Sequence, residues 1–429
     1  MDNSIRILAT ADLHLGKSSS DITGSHASTK FTLNKITEYC VDQKVDVLLL
    51  SGDIVDWDNR FFEAYGPLQE SFDRLGRHGI KIYLVAGNHD FNVLPQIIST
   101  GDNTHVHLLG ENQQWEVQEF KKNGQTIQFV GWSFANRYVY DSPMLTWDAS
   151  ILNPNFTTIG LLHGDVDSHN SSYGPIRLND LRSSGVALWV LGHIHKPQQL
   201  IDQPQVWYPG SPQALSAKET GAHGPLLITV LPNQTPQVEL IKISPVRYED
   251  IEIDISGVRN EEELRSRVVK GLDEETDRII KELEQVKSLV YHITLAGKNS
   301  LAKEIEIWKR TAVDYNIRLE NGTSVSIRRV DTKIQPEISD LKQIAKQPSP
   351  AGILANTILA IEEERDDPFL EELIEEWIQK MENTNSVGAY HPLSNERMEE
   401  NTTEHARIAI KDECNRLLGE LMTQTSKSY

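Results

Sequence analysis

The chain has 429 residues, with 42 Lys and Arg against 62 Asp and Glu and a formal net charge of −20. That length suits two or three domains with a real core, and 38% apolar with 24% charged residues excludes a disordered or fibrous chain. The acidity argues against a general basic nucleic-acid coat protein, and two cysteines, Cys40 and Cys414, give no disulfide framework and fit a reducing compartment.

The N-terminal Met1-Asp2-Asn3-Ser4 lacks the basic region and long apolar run of a signal peptide, and no stretch approaches the apolar length of a membrane span. A cytoplasmic protein with no membrane association is expected.

The first half repeats one grammar: a short apolar run ends in a small residue and then in Asp, Asn or His. Ile5–Thr10 leads into Asp12 and His14, and Val45–Leu50 into Asp53 and Asp56. Ile80–Val85 leads into Asn88, His89 and Asp90, Thr158–Leu162 into His163, and Ala187–Leu191 into His193 and His195. Continuous apolar runs of this length predict strands buried on both faces. Phe31, Ile36 and Tyr39/Cys40, then Phe62, Leu68, Phe72 and Leu75, give helical stripes between them. The alternation predicts an α/β layered core, with the polar motifs gathered beyond the carboxyl ends of the strands. A hairpin is predicted over 115–134, turning at Asn123-Gly124.

The composition changes near residue 245. Strands are predicted at Tyr248–Ile255, Leu289–Leu295 and Ser324–Val330, and helices over 260–285 and 301–313, a small α+β domain. Gln347-Pro348-Ser349-Pro350 marks a break. Helices follow over 353–363, 368–381 and 404–422, with a polar linker at 383–403. The expected domains are 1–245, 246–345 and 346–429. The last is acidic: residues 347–429 hold 17 acidic against 7 basic side chains, half of the net charge. Ile410, Cys414, Leu417 or Leu418, and Leu421 form a stripe on the last helix.

Five of fourteen histidines lie in the strand-end motifs, joined by Asp12, Asp53 and Asn88. Imidazole with carboxylate and amide oxygen, and no thiolate, suits Mn, Fe or Zn better than Ca or a structural Zn. There are more donors than one ion needs, so two divalent metal ions are expected, with a carboxylate able to bridge them. Trp132–Tyr138 reads as an aromatic-rich core edge, with contact to a substrate base or sugar as the alternative. Lys17 and Arg60 follow the metal motifs and are candidates to touch a substrate phosphate. His223 reads as a loop residue.

Asp-x-His, Gly-Asp-x-x-Asp, Gly-Asn-His-Asp, a later His and Gly-His-x-His, in this order, resemble the calcineurin-like metallophosphoesterase superfamily. His14-Leu15-Gly16 after Asp12, and Tyr208-Pro209-Gly210-Ser211-Pro212 later, resemble its DNA repair exonuclease branch, the SbcD/YhaO-like group related to the double-strand-break repair nuclease. The likeness covers about residues 5–225.

The resemblance implies a layered metallophosphoesterase core of β-sheets flanked by helices, a small α+β capping domain and a helical C-terminal segment. It implies one metal on Asp12, His14, Asp53 and His195 and a second on Asp53, Asn88, His163 and His193. It gives His89 the phosphate and the leaving oxygen, and Asp56 an orienting role, although many members of the branch carry His at that position. It further implies a Mn²⁺-dependent DNA exonuclease or endonuclease acting through a dimetal-activated hydroxide, a homodimer, and an SMC-like coiled-coil ATPase docked on the C-terminal helices. Two alternatives stand beside it. One is a metallophosphoesterase for small phosphodiesters or phosphoproteins, against which Trp57 stands where phosphoprotein phosphatases have Arg. The other is a non-catalytic assembly subunit.

Overall fold

The computed structural model describes residues 4–59, 63–100, 104–168, 170–312, 315–335, 341–385 and 403–425. Arg60 and most of the predicted 383–403 linker lie outside these residues. Two compact units are present: residues 1–249 with 279–290 and 316–326, and residues 250–278 with 291–315 and 327–429.

The first unit begins with β1 (Ile5–Thr10), α1 (Thr29–Asp42), β2 (Val47–Ser51), α2 (Tyr65–Arg77), β3 (Lys81–Val85), α3 (Leu94–Ser99) and β4 (Val106–Leu108). The hairpin β5 (Glu116–Lys122) and β6 (Gln125–Gly131) follows, with Asn123 and Gly124 at positive φ in the turn. Next come β7 (Thr157–His163), β8 (Asp165–Val166), β9 (Pro175–Ile176), α4 (Leu178–Arg182), β10 (Leu188–Gly192), β11 (Gln198–Asp202), β12 (Gln205–Tyr208), β13 (Leu226–Val230) and β14 (Gln237–Leu240).

Two six-stranded sheets result, in the orders β14-β13-β1-β2-β3-β4 and β11-β12-β10-β7-β6-β5. Strands β1 to β4 pair in parallel, as do β6, β7, β10 and β12. Alternation along each strand then builds the layers. Ile5, Ile7, Ala9, Val47, Leu49, Ile127, Phe129, Ile159, Leu161, Leu188 and Val190 meet between the two sheets. Leu8, Leu48, Leu50, Ile82 and Leu84 face outward onto Leu33, Ile36 and Cys40 of α1 and Leu68, Phe72 and Leu75 of α2. On the other flank Val130, Leu162, Trp189 and Leu191 pack with Leu181, Trp132 and Phe134. The strands need apolar residues on both faces because each sheet is covered twice.

Trp189 is the largest of the fully buried side chains and donates its indole N–H to Ser184 Oγ at 3.1 Å. Gly160 makes its space: a Cβ there would come within 2.3 Å of the indole ring. Trp189→Ala is expected to destabilise this unit by about 3–5 kcal/mol, read as a lowered midpoint in chemical denaturation.

The later chain contributes β15 (Val246–Asp254), α5 (Glu261–Ile279), β16 (Ser288–Lys298), α6 (Ala302–Ala312), β17 (Asn316–Arg318) and β18 (Ser324–Gln335), with the sheet order β15-β16-β18-β17. It ends with α7 (Leu341–Ile344), α8 (Pro350–Glu362), α9 (Pro368–Asn385) and α10 (Thr403–Thr425).

Ala406, Ile410, Cys414 and Leu418 recur every fourth residue on α10 and are buried with Ala355 and Ile358 of α8 and Leu370 and Ile374 of α9. The stripe is thus covered within its own unit. A helix bundle this small needs its apolar faces for its own core. Among the described residues no helix is long and apolar enough to cross a membrane.

Candidate metal centre

Parallel pairing puts the carboxyl ends of β1, β2 and β3 on one edge of their sheet, and those of β7 and β10 on one edge of the other. The two edges touch. Ser51 Oγ donates to Val190 O at 2.9 Å, and His163 Nδ1 lies 3.1 Å from Ser51 O. Glycine allows the approach: a Cβ on Gly192 would stand 2.0 Å from Ser51 O and 2.5 Å from His163 Nδ1.

The backbone past each strand end is forced into an unusual shape. Asp12, His14 and Asp53 hold φ of 51°, 44° and 50°, and His193 holds 104°. Non-glycine residues at positive φ cost about 1–3 kcal/mol each and persist where surrounding bonds over-determine them. Here Asp12 N donates to Gly52 O at 3.1 Å, His14 N to Asp53 O at 3.0 Å, and His193 N to both Asp12 carboxylate oxygens at 3.0 and 3.1 Å.

The bends bring the predicted donors together. Asp12, His14 and His195 have ligating atoms within 4.8 Å of one another, as do His14, Asp53 and His89, and Asp12, Asp53 and His163. His163 Nε2 lies 3.0 Å from Asn88 Oδ1 and 3.4 Å from Asp53 Oδ2. His193 is in none of these three groups; its ring sits 5.5 Å from that of His163, and its Nε2 lies 4.0 Å from Asp165 Oδ2. Asp56 Oδ1 takes Lys17 Nζ at 2.8 Å, His14 Nδ1 at 3.3 Å and His89 Nδ1 at 3.3 Å.

The electrostatics describe a place that draws positive charge. Burial works against ionising Asp53, but His163, His14 and His89 outweigh it and hold its carboxyl well below the usual range. Burial likewise opposes a charge on His163, but the Asp53 carboxylate beside it prevails and pushes the ring up to about 9. Burial, reinforced by the neighbouring His163, takes His193 down to about 3, and burial also lowers His14. Asp12 is raised by burial, with His195 opposing.

The donor set fits a pair of divalent ions. His14 Nε2 and His195 Nε2 face each other at 3.1 Å, while the Nδ1 of each is held by a carboxylate, Asp56 at 3.3 Å and Glu219 at 3.2 Å. Nδ1–H donation to those carboxylates leaves both Nε2 lone pairs aimed at one spot, an arrangement that a cation between them relieves. Around His163, Nε2 converges with Asn88 Oδ1 and Asp53 Oδ2, three donors that a second cation would take up.

Two residues here escaped the motif reading. Glu219 is 9% exposed and binds His195 Nδ1, Ser211 Oγ at 2.8 Å and Leu215 N at 2.8 Å. It sits in a loop 24 residues past His195, a spacing that no rule flags. Asp90 is fully buried and ties the loops after β2 and β3 by accepting from Ile54 N at 2.6 Å and Gly87 N at 2.8 Å. Burial, reinforced by the Asp53 charge, pushes it up to about 7. Its signal was present, as the last residue of Gly87-Asn88-His89-Asp90. His223 is buried, with Nδ1 2.8 Å from Ser211 O. Glu219→Gln is expected to weaken Mn²⁺ binding about 10–100-fold, measured by calorimetric titration.

The site is thus a helix-covered double sheet with His, Asp and Asn gathered at the strand ends, a donor set that suits divalent metal ions. Residues 5–197 match the family described as calcineurin-like phosphoesterase, so the chain contains a calcineurin-like metallophosphoesterase domain, of the hydrolase class. Its relatives include proteins named for DNA double-strand break repair and for a nuclease.

Over 236 residues the chain is 31% identical to the uncharacterized metallophosphoesterase YhaO of Bacillus subtilis, covering 54% of this chain and 57% of that protein. Over 289 residues it is 24% identical to the DNA double-strand break repair protein Mre11 of Methanopyrus kandleri, covering 62% and 63%. Over 315 residues it is 23% identical to one subunit of the nuclease SbcCD of Staphylococcus epidermidis, covering 66% and 83%. The chain thus spans less than two thirds of the length of the first two.

Proposed function

We propose that this protein is a Mn²⁺-dependent DNA phosphodiesterase of the repair type, an exonuclease or endonuclease that works in the cytoplasm as a homodimer with an SMC-like coiled-coil ATPase. The observation that carries the phosphodiesterase reading is the convergence of His14 and His195, each backed by a carboxylate, on the buried Asp12 and Asp53. The choice of DNA is supported by the names of two relatives, a double-strand break repair protein and one component of a nuclease. The second name also supports a partner, because that protein is only part of a larger nuclease. The acidic C-terminal residues suit protein contacts better than a phosphate backbone, leaving firm DNA engagement to local patches and the ATPase.

In this reading Asp12, His14, Asp53 and His195 would hold one ion, and Asp53, Asn88, His163 and His193 would hold the other. Two such ions, when bound, would lower the pKa of a water to near neutrality and balance the charge that develops on the phosphate. The chain does the rest. The clamps at Asp56 and Glu219 fix the tautomers of His14 and His195, so the site needs little rearrangement on binding. Lys17 balances the Asp56 charge at 2.8 Å. His89, whose side chain is 27% exposed, accepts Trp57 N–H on Nδ1 at 3.3 Å, so a neutral ring carries its proton on Nε2, the outer nitrogen that would serve the leaving oxygen.

Purified protein with Mn²⁺ is compared on labelled DNA, a cyclic nucleotide and a phosphopeptide. The reading predicts DNA cleavage. Cyclic-nucleotide turnover without DNA cleavage would sink it, and inactivity on all three with the ATPase added would favour an assembly role.

A further inference from the structure

Beside the metal centre lies a set of rings that phosphate hydrolysis alone does not need. Along residues 138–140 the chain alternates, with Tyr138 and Tyr140 exposed about a buried Val139, and Arg137 just before them is exposed as well. Val139 N donates to Ser172 O at 2.8 Å, and Gly174 N donates to Val139 O at 2.8 Å, a parallel bridge that clamps this segment to the one carrying Tyr173. Val139 anchors the segment in the core with Phe134 and Met144. Period-two alternation therefore sends Tyr138 and Tyr140 out on one side. Tyr138 is 46% and Tyr140 71% exposed.

The rings form a path. The Tyr173 ring lies 5.1 Å from that of His193, and Tyr138 lies 5.9 Å from Tyr173. Tyr140 stacks 6.4 Å from Tyr138 at an interplanar angle of 27°. The Arg137 guanidinium sits 4.4 Å from the Trp57 ring centre and 5.5 Å from that of Tyr138. The path starts on a proposed metal ligand, His193, and ends in solvent.

Large rings held in water by a fixed backbone contribute little to the core. A nucleic-acid strand supplies what they lack: flat π faces that repeat along a chain, with a phosphate at each step. Aromatic side chains stack on such faces without demanding a sequence, and arginine can serve a base face or a phosphate. A base inside a duplex has both faces covered by its neighbours, so only an unpaired base can use a lone ring.

We propose that Arg137, Tyr138, Tyr140 and Tyr173 form a base-stacking ledge for the single-stranded segment of nucleic acid that enters the centre. This rests on the nuclease reading above and adds to it a preference for unpaired substrate.

The test uses the full chain in a chelator, so that no cleavage competes, and fluorescence anisotropy at low salt. One probe is a labelled DNA strand of about 12 nucleotides; the other has the same phosphates with abasic sugars throughout. The wild type is expected to prefer the base-bearing strand about 10-fold or more. Tyr138→Ala with Tyr140→Ala should bring that preference close to one. Leu145→Ala, another exposed apolar residue but off the path, should keep the wild-type preference. Equal binding of both probes by wild type, or an unchanged preference in the double variant, overturns the ledge. Cleavage by the Mn²⁺-loaded wild type is followed in parallel. Cleavage without base preference defeats the ledge alone, whereas base preference with no cleavage of any DNA defeats the nuclease reading alone.

Discussion

Asp53→Asn is expected to lower kcat/KM for DNA hydrolysis about 1,000-fold or more while the protein stays folded. Asp53 is 2% exposed and shares one donor group with His14 and another with His163, so it stands between the two proposed ligand sets. Its Oδ1 accepts from His89 N at 2.8 Å, a bond that an isosteric amide oxygen can keep. What is lost is the negative charge that faces His163 Nε2 at 3.4 Å. Without it the centre would hold two divalent ions with one carboxylate fewer, and several kcal/mol of charge stabilisation would go with it. Steady-state cleavage of a labelled oligonucleotide and circular dichroism check the two halves. Activity within about 10-fold of wild type would remove Asp53 from the centre.

The second large effect is on proton delivery. His89→Gln is expected to cut kcat about 100- to 10,000-fold on DNA. Its imidazole stands edge-on to His14, with ring centres 4.8 Å apart, and is steadied by Asp56 and by Trp57 N at 3.3 Å. It belongs to neither proposed ligand set, so bound metal should be retained in the variant. The loss should shrink on a p-nitrophenyl phosphodiester, because a leaving group that is already a weak base needs no proton. Equal losses on both substrates would make His89 a phosphate-binding residue and no acid.

The strand-end donors were legible because each follows a run of apolar residues that only a doubly covered parallel strand accommodates. Ile5–Thr10 and Val47–Ser51 have no polar face to offer water, so Asp12 and Asp53 mark where those strands leave the core. The hairpin was legible through Asn123-Gly124 alone. The antiparallel edge of the first sheet was not, because it depends on β13 returning beside β1 from more than 200 residues away, in register Ile7 with Ile228.

Glu219 was invisible because a loop carboxylate declares itself only by what it touches. Trp132–Tyr138 was read as one stretch and divides in two. Trp132 and Phe134 are buried, whereas Arg137 and Tyr138 face outward, since the strand pattern ends with β6 and a separate bridge at Val139 resets it. The α10 stripe carried the opposite ambiguity. Helical spacing reports that an apolar face is covered, never by which molecule, and α8 and α9 provide the cover.

The measurement closest to the central claim is the number of Mn²⁺ ions held per chain at equilibrium, by dialysis and elemental analysis. Wild type is expected to hold two, and Asp12→Asn combined with Asp53→Asn to hold none. A wild-type chain that binds fewer than two ions, or a double variant that binds as many as wild type, would contradict a dimetal centre built on these strand ends.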